Sequence, residues 1–174
     1  FVRHVLGVSD AWLMAQSDDA VDAGHEATFQ HLIERRANGE PVAYLTGTRG
    51  FHALELRVTP GVLIPRPETE VLVDLALQRI PADADRNVAD LGTGSGAIAL
   101  AIAKARPRTR VIATDISAVA LEVARGNAAR LGVGNVEFRQ GIWCASLDNE
   151  RFDAIVSNPP YVAAGDPHLA ALRY

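Results

Sequence analysis

A doubly wound α/β domain, preceded by a small helical unit and a short β connector, is the architecture implied by these 174 residues. Three observations carry that reading. From Asn87 onward, short β-prone runs alternate with helical patterns. A glycine-rich turn joins the first of these strands to the helix behind it. An earlier stretch with helical apolar spacing is set off by a segment of strict alternation. Hydrophobic residues make up 48% and charged residues 22% of the chain, which excludes a disordered or coiled-coil protein.

The elements follow in order. Val2, Val5 and Leu6 form one short apolar face, and Phe29, Leu32, Ile33 and Ala37 form another that Asn38-Gly39 ends. Residues 1–48 are therefore expected to be a helical unit. Phe1 falls inside an apolar pattern, so further helix residues are expected ahead of it. Leu54, Leu56 and Val58 alternate with Glu55 and Arg57, the pattern of strands in an antiparallel connector over residues 49–64. Pro65-Arg66-Pro67 and the acids of Glu68-Thr69-Glu70 suit the start of a helix through Val71, Leu72, Leu75 and Ala76, which Pro81 closes. Strands are then expected at 87–91, 111–114, 136–139 and 152–156. Helices are expected at 97–105 and at 118–131, the latter capped by Ser117 and stopped by Gly132. Four strands are few for a domain of this kind. The domain over 65–174 is therefore expected to be incomplete, with the natural protein continuing past Tyr174 and the fourth strand central.

Seventeen Lys and Arg against twenty-one Asp and Glu give a net charge of −4, so there is no overall positive field to hold a nucleic-acid backbone. The single cysteine, Cys144, cannot form an internal disulfide, and no signal segment or long apolar span is visible. A cytoplasmic, monomeric protein with neither membrane nor direct nucleic-acid partner is expected. The five histidines are scattered, among them His4, His25, His31 and His168, and show no metal-ligand spacing. No bound metal is expected.

Asp90-Leu91-Gly92-Thr93-Gly94-Ser95-Gly96 lies between a strand and a helix, where glycines let the backbone turn sharply and approach a ligand. Asp115, at the end of the second strand, brings a carboxylate to the same crevice, where it can accept both hydroxyl hydrogens of a ribose. A tight structural turn with a solvated acid is the plainer reading, but strand, helix and acid in register favour a nucleoside site. The spacing does not exclude a dinucleotide, since Ala97 could serve as the third small residue. Asp90 at the head of the loop favours S-adenosylmethionine, whose cationic amino and sulfonium groups are stabilised by carboxylates.

The fourth strand delivers Asn158-Pro159-Pro160-Tyr161 to that same edge. The prolines fix φ and hold the backbone carbonyl after Asn158 in one direction. With the Asn158 side-chain oxygen, it makes two acceptors that could grip both hydrogens of a planar amino group, while Tyr161 stacks behind it. Trp143 could flank an adenine, or simply pack. Arg66, held between prolines, reads as structural, and Phe51 and His52 read as connector packing near a substrate mouth.

The glycine loop together with Asn158-Pro159-Pro160-Tyr161 resembles the Rossmann-like class I methyltransferases that use S-adenosylmethionine and act on planar nitrogens. Ile64-Pro65-Arg66-Pro67-Glu68-Thr69-Glu70, preceded by Gly39-Glu40-Pro41-Val42-Ala43-Tyr44-Leu45-Thr46-Gly47, more narrowly resembles the release factor glutamine methyltransferases. The resemblance implies methyl transfer to the glutamine of a Gly-Gly-Gln loop in a peptide chain release factor, docked by the N-terminal helices and connector. It implies cofactor contacts by Asp90, Gly92, Thr93, Gly94, Ser95, Gly96, Asp115 and Asn158, with Trp143 beside the adenine. It also implies substrate amide contacts by Asn158, Pro159, Pro160 and Tyr161. Ile142 departs from the acidic residue usual in that family before the tryptophan, so adenine recognition there must use backbone groups or packing. The rival readings are a methyltransferase of an exocyclic amino group in DNA or RNA, one acting on a ribosomal-protein glutamine, and a non-enzymatic adenosine-binding module.

Overall fold

The computed structural model describes residues 1–16 and 19–159, so Pro160, Tyr161 and His168 lie outside the described residues. The chain divides into two compact units, the first covering Phe1–Gly47 and the second beginning at Thr48.

Four helices make up the first unit: α1 Val2–Leu6, α2 Asp10–Ala15, α3 Ala23–Ala37 and α4 Val42–Thr46. Side-chain caps set the starts of α2 and α3. The Ser9 hydroxyl accepts from Trp12 N at 3.2 Å, and Asp22 accepts from Gly24 N and His25 N. Left-handed glycines stop two of them, Gly7 at φ 66° and Gly47 at φ 72°.

The second unit opens with a hairpin, β1 Thr48–Phe51 paired antiparallel with β2 Leu54–Arg57. Its two loop residues, His52 and Ala53, both have positive φ, as a tight two-residue hairpin turn requires. Neither is glycine or asparagine, so sequence gave no turn signal. The strain is met by neighbours: Glu70 Oε1 accepts from His52 N at 3.2 Å, and His52 Nε2 lies 3.0 Å from Asp74 Oδ1. A 3₁₀ turn, Pro67–Thr69, leads into α5 Glu70–Arg79. Arg106 ties down the end of that helix, donating from Nε to Ile80 O at 2.6 Å and from Nη2 to Leu77 O at 2.7 Å.

Strands β3 Asn87–Leu91, β4 Arg110–Asp115, β5 Val136–Gln140 and β6 Ala154–Ser157 form one parallel sheet in the order β5-β4-β3-β6. Helices α6 Ala97–Ala105 and α7 Ala118–Leu131 are its crossovers. The alternation read from sequence is thus a right-sized α/β sheet, with small changes of boundary. The last strand starts later than expected because Asp153 is used to close its approach: Asp153 Oδ2 accepts from Asn87 N, and Asp153 N donates to Asn87 O, both at 2.8 Å. Among the described strands β3 and β4 are interior, and β5 and β6 stand at the two ends of the order. No helix among the described residues is long and apolar enough to cross a membrane.

The core explains the apolar character of α6. All seven residues from Ala97 to Ala103 are buried, together with Val73, Ala76 and Ile80 of the α5 region and Val88, Val111 and Ala113 of the sheet. A helix enclosed on most sides cannot show a polar face. Ala89, Leu91 and Ile112 project from the opposite face of the sheet and pack with Leu147 and Phe152.

One carboxylate is embedded in this core. Asp90 has no exposed surface; its Oδ2 accepts from Thr93 Oγ1 at 2.7 Å and from Ala99 N at 3.1 Å. Desolvation pushes its pKa up to about 6; the two hydrogen bonds oppose the rise and the Asp115 charge adds to it. The folded protein therefore holds this proton to higher pH than the unfolded chain. That contribution to stability is present below about pH 4 and lost as pH rises through 6. In urea unfolding, Asp90→Asn should gain stability relative to the parent protein between pH 4.5 and 7, by roughly 2 kcal/mol. A difference that does not vary with pH would show that Asp90 titrates like an exposed acid.

Candidate functional site

The parallel register brings four chain segments side by side at the carboxyl edge of the sheet. Leu91 pairs with Thr114 on one side and with Ser157 on the other, and Asp115 pairs with Gln140. Gly92 therefore emerges between Asp115 and Asn158, each about 5 Å away across the ladder, and Gly141 follows beyond Asp115. Ser157 Oγ donates to Leu91 O at 2.8 Å and fastens the two neighbouring exits together.

The glycine loop is held from beneath and from its side. Thr114 O accepts from both Gly92 N and Thr93 N at 2.9 Å, and Thr93 O accepts from Gly96 N at 2.9 Å. Asp115 Oδ2 accepts from Gly94 N, and its Oδ1 accepts from Ser117 N, each at 2.9 Å. Gly92 and Gly94 have φ of 74° and 57°, and no atom lies within 4 Å of where a Cβ would stand on either. Those two positions face open space. Gly96 shares the positive φ, at 85°, but there a Cβ would also lie 3.0 Å from Leu100 Cδ1 and 3.1 Å from Ala124 Cβ, so glycine serves both the turn and the close packing of α6 on α7.

This arrangement divides the residues singled out from sequence. Asp90, Thr93 and Ser95 are buried, so their side chains support the loop from within. Asp90 Oδ2 serves Thr93 and Ala99, and its Oδ1 is buried without a hydrogen-bond partner. Asp115 is half-buried at the rim. Each of its oxygens accepts one backbone N–H and retains a second lone pair for a ligand hydroxyl.

Beyond Asp115 the rim is apolar and open. Ile116, Ile142 and Trp143 are 65%, 58% and 56% exposed. Trp143 sits at φ 50°, and its carbonyl accepts from Thr114 Oγ1 at 3.4 Å, which places the 141–144 turn over the end of β4. Gln140 Nε2 donates to Ile116 O at 3.0 Å, and Gly141 N donates to Asp115 O at 3.0 Å. Such large apolar side chains around one rim suit a planar ring.

On the other side, Asn158 is half-buried and its Nδ2 donates to Thr69 Oγ1 at 2.8 Å. The segment that begins in the Pro65-Arg66-Pro67 motif therefore fixes the plane of the Asn158 carboxamide. Farther back, a Cβ on Gly61 would stand 2.7 Å from Val119 Cγ1 at the start of α7. The stretch from Gly61 to Thr69 thus has one anchor beyond β4 and the other beyond β6, on either side of the glycine loop.

Sequence reasoning missed Thr69, Ile116 and Asn127 as parts of this neighbourhood. Thr69 was read as part of a helix start and of the motif over residues 64–70, with no partner at the site. Ile116 carried a signal, as an apolar residue directly after the strand-ending acid. Asn127 carried one too, being a polar residue on the buried stripe Ala120, Leu121, Ala124 and Ala128 of α7.

The chain matches the family model described as methyltransferase small domain over residues 67–173, and the PrmC N-terminal domain over residues 1–47. It is 55% identical over 166 residues to a release factor glutamine methyltransferase of Xylella fastidiosa strain 9a5c, covering 95% of this chain and 60% of that relative. A protein of the same name from Bordetella pertussis is 52% identical over 169 residues, covering 97% of this chain and 62% of the relative. The chain spans about 60% of the length of the curated relatives it matches. Among solved structures, a ribosomal protein L11 methylase from Lactobacillus delbrueckii subsp. bulgaricus is 35% identical with a TM-score of 0.51, over 60% of this chain and 52% of that one. Trm5b from Pyrococcus abyssi, at 22% identity and a TM-score of 0.53 over 65% of this chain and 32% of that one, shares the fold. With a parallel sheet, a glycine loop at its carboxyl edge and a family model spanning most of the α/β unit, this chain belongs to the methyltransferase small domain family.

Proposed function

We propose that the protein transfers a methyl group from S-adenosylmethionine to the side-chain amide nitrogen of a glutamine, that of the Gly-Gly-Gln loop of a peptide chain release factor. The observation that carries this reading is the placement of Asn158, with its carboxamide plane set by Thr69, directly beside the open glycine loop. The names of the relatives support the choice of substrate.

The residues present fit the cofactor. Open space over Gly92 and Gly94 admits a ligand close to the backbone. Asp115 takes the ribose hydroxyls with the acceptor capacity it has left, and the adenine is held by packing against Ile116, Ile142 and Trp143 or by backbone groups, since the Ile142 side chain has no acceptor to offer. When bound, S-adenosylmethionine supplies a methyl group made electrophilic by the sulfonium.

The remaining work falls to the chain. An amide nitrogen is a poor nucleophile because its lone pair is delocalised into the carbonyl. Asn158 Oδ1 and the Pro159 carbonyl accept the two amide hydrogens from directions off the amide plane, which favours the pyramidal nitrogen of the transition state over the planar ground state. As the nitrogen–carbon bond forms and the carbon–sulfur bond breaks, the nitrogen becomes acidic and gives its proton to solvent. No general base is needed. An exocyclic amine of a nucleic-acid base has similar hydrogens, but the net charge of −4 gives no overall positive field to hold a phosphate backbone. We further propose that residues 1–48 receive the protein substrate, that 49–64 connect, and that methyl transfer belongs to the part from 65 onward.

Three measurements check this reading. Asp115→Ala should weaken S-adenosylmethionine binding by roughly 1 to 3 kcal/mol in calorimetry, through loss of charge-assisted bonds to ribose and loop; unchanged affinity would remove Asp115 from the site. Asn158→Ala should slow single-turnover methylation by about 100-fold, with a smaller loss of cofactor affinity. Full activity in that variant at saturating cofactor and substrate would leave the segment after β6 as a structural loop. Removing residues 1–47 should reduce methylation of the intact release factor far more than cofactor binding, whereas equal losses would reduce that unit to a folding role.

A further inference from the structure

Asn127 is fully buried in α7, and its carboxamide makes three hydrogen bonds to backbone groups of two other segments. Its Oδ1 accepts from Arg57 N at 2.7 Å, and its Nδ2 donates to Arg57 O at 3.0 Å and to Ser95 O at 2.9 Å. Arg57 is the last residue of β2, and it pairs with Thr48 on the other side of the hairpin. By taking both the N–H and the C=O of Arg57, the side chain of Asn127 completes that outer edge as a neighbouring strand residue would. By taking Ser95 O, it grips the glycine loop two residues before α6 begins.

We infer that Asn127 is a positioning residue for the cofactor site, setting the glycine loop and the segment that leaves β2 at a fixed spacing. This inference rests on the cofactor reading above. The Ser95–Gly96 peptide is held at both ends: Asn127 takes its carbonyl, and Thr93 O accepts its N–H. Without Asn127 the Ser95 carbonyl would be a buried acceptor with its donor removed, and the peptide must turn to find another. Turning it releases the bond to Thr93 and moves Gly94, whose N–H is the loop's link to Asp115. On the other side, the chain leaving Arg57 runs by way of Gly61 against Val119 to Thr69, which orients Asn158. One buried amide thereby acts on both walls of the crevice while touching no ligand.

The molecule contains a matched control. Asn135 also makes three hydrogen bonds to the backbone, all donated by its Nδ2 to the carbonyls of Ala103, Arg106 and Thr109, at the opposite end of the sheet. Both variants should lose stability, and only one should lose affinity. In the intact protein, well below the melting temperature of each variant, the dissociation constant for S-adenosylhomocysteine should rise at least about tenfold in Asn127→Ala and less than about twofold in Asn135→Ala. Should Asn127→Ala not fold, Arg57→Pro removes the N–H that Asn127 accepts without touching a β1–β2 ladder bond, and should weaken binding several-fold. Equal affinities in folded Asn127→Ala and the parent protein, or equal losses in the Asn127 and Asn135 variants, would overturn the positioning role. The same holds for unchanged affinity in folded Arg57→Pro. Failure of the parent protein to bind S-adenosylhomocysteine at all would instead sink the cofactor reading, and this inference with it.

Discussion

The site depends on how the polar groups of one tight turn are satisfied from below. Between β3 and α6 the chain reverses within five residues, and its amides and carbonyls cannot all bond one another. Thr114 O takes the N–H groups of Gly92 and Thr93, Asp115 takes that of Gly94, Thr93 O takes that of Gly96, and Asn127 donates to Ser95 O. Thr114 O, Asp115 and Asn127 reach the turn from beneath or from its side, and Thr93 O lies within it. The other side is left bare of side chains at Gly92 and Gly94 and can meet a ligand.

Asp90 shows what this construction costs. Burying a carboxylate beneath the turn raises its pKa, and the hydrogen bonds from Thr93 and Ala99 recover only part of the lost hydration. The same oxygen joins the loop, through Thr93, to the first turn of α6, through Ala99. That the acid sits directly under the candidate site is consistent with the general tendency of strained and desolvated groups to gather where ligands bind.

The two walls of the crevice come from parts of the chain far apart in sequence, and small polar contacts orient them above an apolar core that the hairpin, helices and sheet share. Thr69 reaches Asn158 across 89 residues, and Asn127 reaches Arg57 across 70. Directional bonds of this kind fix orientation to within a few tenths of an ångström, which apolar packing alone does less well. A carboxamide meant to present its oxygen at a fixed angle to a planar substrate group needs that kind of support.

Much of this was legible in the residues alone. Periodicity separated the helical unit from the alternating one, caps such as Ser117 and Gly132 marked helix ends, and the glycine loop, Asp115 and Asn158 were placed at one edge because parallel strands share a carboxyl end. The hairpin turn at His52 and Ala53 was not legible, since its positive φ angles are imposed by neighbours and not by glycine. Nor was the inward turn of Asp90, because a motif states which residues adjoin a crevice but not which way each side chain faces once helices close over it. The pairing of Asn158 with Thr69 and of Asn127 with Arg57 and Ser95 depended on the folded arrangement for the same reason. Local sequence encodes the period and the ends of elements, whereas contacts between residues 70 or 89 positions apart exist only after the sheet and its helices have packed.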